Sequence, residues 1–503
     1  MRKALLVISV ILLFAGSAAA NRVYYDMNVN QSTVMMNTTV KLDCKTDCPS
    51  KWRLTWKVPE GGKVIGVKDD QGPIKDYKVQ NGGLVASSNT DHEKGPEKFR
   101  IRFRIDRKAE EVYGGLHKRN LNLRSFKGAK TTGTVHVDNF LSSWAGYGVD
   151  TSVDGDNVNF RAEGPLSLRV KFGKGDYRSK YYEFFGGRPE NSSMAYETAV
   201  GMTGQHLDVK RLPVAIMPDA EFNRSVSKWS SGEYRSGSAQ MRQGLGEEFR
   251  PILAHETVHA LNDRKLNWDQ TSSSYFEEGT ASYVEFLVRL KLYRQGVIHR
   301  PVRELFGDSV RYDPDKTDNY YKKLPPKGSS DVLWGYYQND YDYMKRWNPF
   351  MKQSSARRRF GYAYSELMIR NYVVNGNGSL RKLYKDIEVN GKIKDPEKKW
   401  ELFSKHMDMT PCKYRTRQRF EKCIDRINNH SYSVYTASPT GNTSDAFSVE
   451  KLKIPEKKKE KISQGLKLNL GNGAESTGGF MAELVRTLNS LIDRLLSLVN
   501  SLV

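Results

Sequence analysis

His255, Glu256 and His259 form a His-Glu-x-x-His run, HETVH, in a chain of 503 residues that holds nine histidines. On a helix, residues four apart share one face at about 6 Å. The two imidazoles can therefore hold one metal ion, while Glu256, about 100° round the helix, reaches a metal-bound water. A hydrolytic zinc site keeps three protein ligands and one open position. Glu278, in the run FEEGTASY, is the candidate third ligand. The gap from His259 is long enough for one helix to end, a loop to cross and a second helix to present the carboxylate. Zinc is the expected cofactor, and the expected chemistry is hydrolysis. Glu256 would act as general base, taking the attacking water's proton and returning it to the leaving group.

This spacing resembles that of the gluzincin zinc peptidases, in which a Glu-Gly-x-Ala run after such a gap supplies the third ligand. Here the run is Glu278-Gly279-Thr280-Ala281, and the resemblance covers residues 211–375. It implies a thermolysin-like α+β domain of the broad peptidase-MA-like group, cleaving peptide or protein substrates. It also favours Glu278 over the adjacent Glu277 as ligand. A tyrosine on a later helix is implied as donor to the tetrahedral oxyanion; Tyr362 best matches that position and Tyr364 is second. An edge strand just before the zinc helix is implied as the partner of an extended substrate. The segment WSSGEYRSGSAQM, residues 229–241, lies there, and an ordinary hairpin is the other reading. The Gly-Ala-Met-Glu-Asn run with which the aminopeptidase branch holds a free amine is missing, so amino-terminal trimming is not carried over.

The elements that must position these groups follow from periodicity. Residues 181–431 read as the zinc metallopeptidase domain. The zinc helix is predicted from Glu247 to Asn262, with Asn262-Asp263 ending it. A second helix runs from Tyr275 to Lys291 with Ala281, Val284, Leu287 and Val288 inward, and a core helix spans 357–373. Upstream, Leu54 and Trp56 alternate with Arg53 and Thr55, and Phe99, Ile101 and Phe103 alternate with Arg100, Arg102 and Arg104. Such period-two runs are half-buried strands. They predict an antiparallel β-sandwich over residues 21–126 and a second β-rich region over 127–180, which either belongs to the sandwich or forms a module of its own.

The termini and composition bound the setting. Residues 1–20, basic then apolar then small, read as a signal peptide, so the chain is expected to be secreted or attached to the cell surface. Cys44/Cys48 and Cys412/Cys423 form two close pairs, expected as disulfides in an oxidising compartment, and several Asn-x-Ser/Thr sites, Asn30 and Asn223 among them, are candidate glycan acceptors. The formal net charge of +22 fits a polyanionic partner as well as it fits general solubility, and export argues against nucleic acid. Residues 432–478 read as a flexible basic linker. Residues 479–503 read as an amphipathic helix, from the stripe Met481, Val485, Leu488, Ile492, Leu495. That helix would lie on an anionic membrane surface or self-associate. A different class of function is also compatible: a cell-surface binding or adhesion protein whose metallopeptidase-like domain is degenerate and non-catalytic.

Overall fold

A computed structural model describes residues 21–43, 51–89, 96–146, 148–207, 209–265, 274–298, 341–374, 378–390, 395–414 and 416–433. Residues 1–20, read above as a signal peptide, Cys44 and Cys48, nearly all of 432–478 and the 479–503 stripe lie outside the described residues. Among the described residues, no helix is long and apolar enough to cross a membrane.

Strands β1 (Arg22–Val29), β2 (Thr33–Leu42), β3 (Arg53–Lys57), β4 (Gly62–Lys68), β5 (Tyr77–Gln80), β6 (Gly83–Ser87) and β7 (Glu97–Asp106) open the chain. They continue as β8 (Glu110–Tyr113), β9 (Leu116–Leu123), β10 (Lys130–Val137), β11 (Phe140–Ala145), β12 (Asp150–Asp154), β13 (Asn157–Glu163) and β14 (Leu166–Phe172). Alternation drives them: Phe99, Ile101 and Phe103 of β7 are buried while the intervening arginines point to the other face. Three sheets result, in the orders β12-β13-β10-β1-β2-β7-β4, β11-β14-β9-β8 and β3-β6-β5. One apolar core joins them, from Tyr25 and Met36 through Trp56 and Phe103 to Val135, Phe160 and Val170.

Two expectations change here. The sandwich is not wholly antiparallel, because β1 pairs with β10 in parallel, Arg22 opposite Lys130. That pairing also removes any division at residue 126. Strands from both sides of it share two sheets and one core, so residues 127–172 complete the first region rather than following it as a module.

The second half is a five-stranded mixed sheet with helices packed on it. Its order is β15-β16-β17-β19-β18, from β15 (Tyr177–Arg178), β16 (Tyr182–Phe185), β17 (Leu212–Met217), β18 (Gly232–Arg235) and β19 (Ser238–Arg242). The helices are α1 (Ser193–Thr203), α2 (Asp219–Ser225), α3 (Phe249–Lys265), α4 (Tyr275–Arg294), α5 (Tyr341–Lys345), α6 (Ser355–Val374), α7 (Leu380–Asn390), α8 (Pro396–Ser404) and α9 (Arg417–Ser433). Within α9, Cys423 is disulfide-bonded to Cys412. A second apolar seam, formed by Leu116 and Leu141 with Phe185, Ala215, Met217 and Phe222, fuses the four-stranded sheet to this half.

The loop between β4 and β5 is organised by Asp69, which is 1% exposed. Its carboxylate accepts from the backbone N–H groups of Gln71, Gly72 and Asn89 at 2.9, 3.1 and 2.7 Å. Burial is the largest influence on this group and opposes ionisation, but the backbone donors outweigh it and lower the pKa from its ordinary 3.8. A lowered pKa stabilises the fold fully above the unfolded value and loses that effect as pH falls through the folded value. Asp69→Asn is therefore expected to cost about 2 kcal/mol at pH 7. The difference from the parent should close as pH falls below 3.8, measured by denaturant titration at each pH. A gap independent of pH would contradict the assignment.

Candidate metal centre

Helix α3 carries the two histidines through the middle of the second half. Leu253, Ala254, Val258, Ala260 and Leu261 along it are wholly buried, so it is enclosed on most sides instead of amphipathic. Two cross-links fix its rotation. Tyr182 Oη of β16 meets Thr257 Oγ1 at 2.9 Å, and Tyr384 Oη of α7 donates to Asn262 Oδ1 at 2.7 Å. The helix also runs to Lys265, past the expected stop at Asn262-Asp263. Those two side chains are occupied elsewhere, Asn262 by Tyr384 and Asp263 by the Tyr234 hydroxyl at 3.1 Å, and so do not cap it.

Helix α4 brings Glu278 to the same place. His255 Nε2 and His259 Nε2 each stand 3.3 Å from Glu278 Oε2, and the ligand atoms of the three residues lie within 4.8 Å of one another. The donor set fits a cation. His255 Nδ1 faces Glu285 Oε2 at 3.1 Å, which holds the ring proton there and leaves Nε2 with its lone pair toward Glu278. Glu278 Oε2 is buried between the two Nε2 nitrogens, and buried ligand atoms converging on one point are a site that a cation completes. Two imidazoles and a carboxylate are a zinc set.

Glu277 is not part of this set. Successive helical positions point about 100° apart, and both Glu277 oxygens pair with Lys399 Nζ of α8, at 2.7 and 2.9 Å, in a buried ion pair. Glycine at 279 has a structural cause too. A Cβ there would come within 2.4 Å of the Ser365 carbonyl, so α4 and α6 touch backbone to backbone at that point. This contact sets α6 against the site.

On α6, Tyr362 rather than Tyr364 faces the carboxylates. Tyr364 is fully buried and donates to the Met409 carbonyl at 2.9 Å. Tyr362 packs edge-on to Trp347 at 5.2 Å between centroids, and Trp347 lies where a Cβ on Gly361 would be. Burial first, then the charges of Glu278 and Glu256, hold the Tyr362 hydroxyl well above its ordinary value. It remains a protonated donor.

Glu256 is 3% exposed. Burial raises its pKa against the pull of His255 and His259, and one of its oxygens accepts the Tyr234 backbone N–H at 2.5 Å. For Glu278 and Glu285, burial opposes ionisation, yet the imidazoles, joined at Glu285 by Arg289, outweigh it and hold both carboxyls at about 2. Glu285 is a functional candidate that the sequence reading missed. Its signal was present, since it stands seven residues after Glu278, two turns on and on the same face of α4. Glu233 of β18 was also missed. Its side chain is 13% exposed and faces Arg235 Nε at 3.8 Å, with the charges of His259 and Glu278 acting on it less strongly.

No protein-family model matches the chain, and no curated protein matches it. Similar solved structures include native leukotriene A4 hydrolase from Saccharomyces cerevisiae, at 11% identity and a TM-score of 0.31 over 84% of this chain and 69% of that one. The M1 zinc metallopeptidase of Deinococcus radiodurans is another, at 10% identity and a TM-score of 0.31 over 84% of this chain and 96% of that one. Likeness at this level leaves the chemistry to the site's own geometry.

Because Glu285 fixes the tautomer of His255, Glu285→Gln is expected to weaken zinc binding about 10- to 100-fold in chelator competition while leaving the fold intact. Unchanged affinity would remove Glu285 from the centre.

Proposed function

We propose that the chain is a zinc-dependent metallopeptidase of gluzincin type, with a thermolysin-like catalytic half, hydrolysing peptide bonds of peptide or protein substrates. The observation that carries this reading is the buried convergence of His255, His259 and Glu278, with the Glu256 carboxyl one residue from the first ligand. When bound there, zinc supplies Lewis acidity and lowers the pKa of water. Glu256 accepts a proton from the attacking water and delivers it to the leaving amine. The Tyr362 hydroxyl donates to the developing oxyanion. The intact Glu256 and the donor at Tyr362 weigh against the adhesion-protein alternative, in which neither group would be required.

Glu233 supports a second reading of substrate polarity. A largely buried carboxylate on the edge strand β18, coupled to the metal ligands, can pair with a cationic group of the substrate, its terminal amine included. The exclusion of amino-terminal trimming is therefore not carried forward, and comparing cleavage of free and N-acetylated peptides decides it.

Glu256→Gln is expected to keep its zinc and lose at least about a hundredfold in turnover, since an amide cannot accept the water's proton. Tyr362→Phe should lower kcat about tenfold or more with little change in KM. Metal analysis and peptide kinetics on purified protein check both. A Glu256→Gln variant with near-parental turnover would remove Glu256 as general base, and a zinc-bound parent without peptide turnover would return the chain to the adhesion reading.

Export through residues 1–20, and attachment or assembly through 479–503, belong to the same proposal. A chain ending at Ser444 should cleave peptides as the full chain does but no longer pellet with anionic liposomes or self-associate. Equal pelleting and equal mass for the two forms would leave the stripe without either role.

A further inference from the structure

On β14, Leu166, Leu168, Val170 and Phe172 face the sandwich core, so Lys171 belongs to the opposite face, where a lysine normally meets water. Here it is 3% exposed, because the hairpin of β18 and β19 lies across that face. The hairpin turns tightly: Arg235 pairs with Ser238, and Ser236 and Gly237 both have positive φ, 47° and 93°, as a two-residue hairpin turn requires. Both ends of that turn are held from the sandwich. Lys171 Nζ donates to the Arg235 carbonyl at 2.9 Å and also to Ser238 Oγ. Ser142 Oγ of β11 donates to the Gly237 carbonyl at 2.6 Å. Burial drives the Lys171 pKa well below its ordinary value, offset in part by the charge of Asp263, and the amine donates to these two acceptors.

The hairpin's other contacts reach the metal centre. Strand β18 is the edge of its sheet. Tyr234 N–H points away from β19 onto Glu256, and its hydroxyl reaches Asp263. A Cβ at Gly232 would come within 3.0 Å of Glu256 Oε1 and 2.8 Å of Ile252 Cγ2, so the strand lies directly against the general base.

We propose that Lys171 and Ser142 are positioning residues of the peptidase: the N-terminal sandwich clasps the β18–β19 turn and thereby sets the strand that orients Glu256. The proposal rests on the peptidase reading above. It makes the β-rich half a working part of the active site and not an appended binding module.

The test uses the full chain and the variants Lys171→Met and Ser142→Ala. Lys118→Met serves as control, removing a neighbouring cation that pairs with Glu110. Four quantities are read: zinc per chain, thermal midpoint, kcat and KM on a peptide, and amide hydrogen exchange by segment. In Lys171→Met, exchange across residues 232–241 should accelerate at least tenfold while α3 keeps its protection and zinc content stays at the parental value. In the same variant kcat/KM should fall at least tenfold, and Ser142→Ala should shift both readouts in the same direction by less. The control should match the parent. Parental exchange in 232–241, or a loss of activity that follows zinc loss in proportion, overturns the clasp. If Lys171→Met does not fold, Ser142→Ala, which deletes a single hydroxyl, decides by the same criteria. A parent that binds zinc but cleaves no peptide overturns the peptidase reading instead, and the exchange measurement then rules on the clasp alone.

Discussion

Everything in the second half of the molecule answers one electrostatic constraint, the burial of several carboxylates around two imidazoles. Glu256, Glu278 and Glu285 are drawn from two helices into one volume. Isolated ionised carboxyls cannot remain there without compensation. The compensation is layered. Arg289 spans Glu285 and Glu248, Glu285 holds His255, and the two imidazoles hold Glu278. What remains is a set of lone pairs facing inward, which a divalent cation completes. The outer charges are thus conditions for the inner ones, since each buried group is tolerable only because the next one out is paired.

The close packing of helices serves that arrangement. Gly279 and Gly361 are places where a side chain is forbidden by a neighbour, the Ser365 carbonyl in one case and the Trp347 ring in the other. Both lie on the elements that bring Glu278 and Tyr362 to the site. The ion pair of Glu277 with Lys399 performs a related task by locking α4 to α8 on its far side. A carboxylate of the candidate metal centre and a structural one therefore sit side by side in the chain and point into different environments.

How much of this was legible in the sequence depended on whether the cause was local. The helix carrying HETVH, the helix from Tyr275 and the alternating strands were readable, because periodicity of 3.6 or 2 is a property of neighbouring residues. The pairing of His255 with His259 could be anticipated from spacing, and the choice of Glu278 from the resemblance carried by Glu278-Gly279-Thr280-Ala281. What could not be read were groups defined by partners far along the chain: Lys399 meeting Glu277, Tyr384 meeting Asn262 and so extending the helix past its expected stop, and Lys171, which on strand pattern is a solvated residue. The parallel pairing of β1 with β10 was hidden for the same reason. Alternation specifies that a strand forms but not which strand lies beside it.

That pairing governs the order in which the protein can be made. β1 sits in the interior of its sheet, flanked by β2 on one side and β10 on the other, and β10 begins more than a hundred residues after β1 starts. Until β10 arrives, β1 presents an open row of backbone donors and acceptors, a template for any extended chain nearby. Pairing over such a sequence separation is slow. The sandwich is therefore unfinished throughout synthesis of its first hundred residues, and its completion waits on β10 to β14, the strands that also hold the turn beside the metal centre. Completion of the β-rich half is thus a condition for holding that turn before the helices that carry His255, Glu278 and Tyr362, which follow later in the chain, pack beside it.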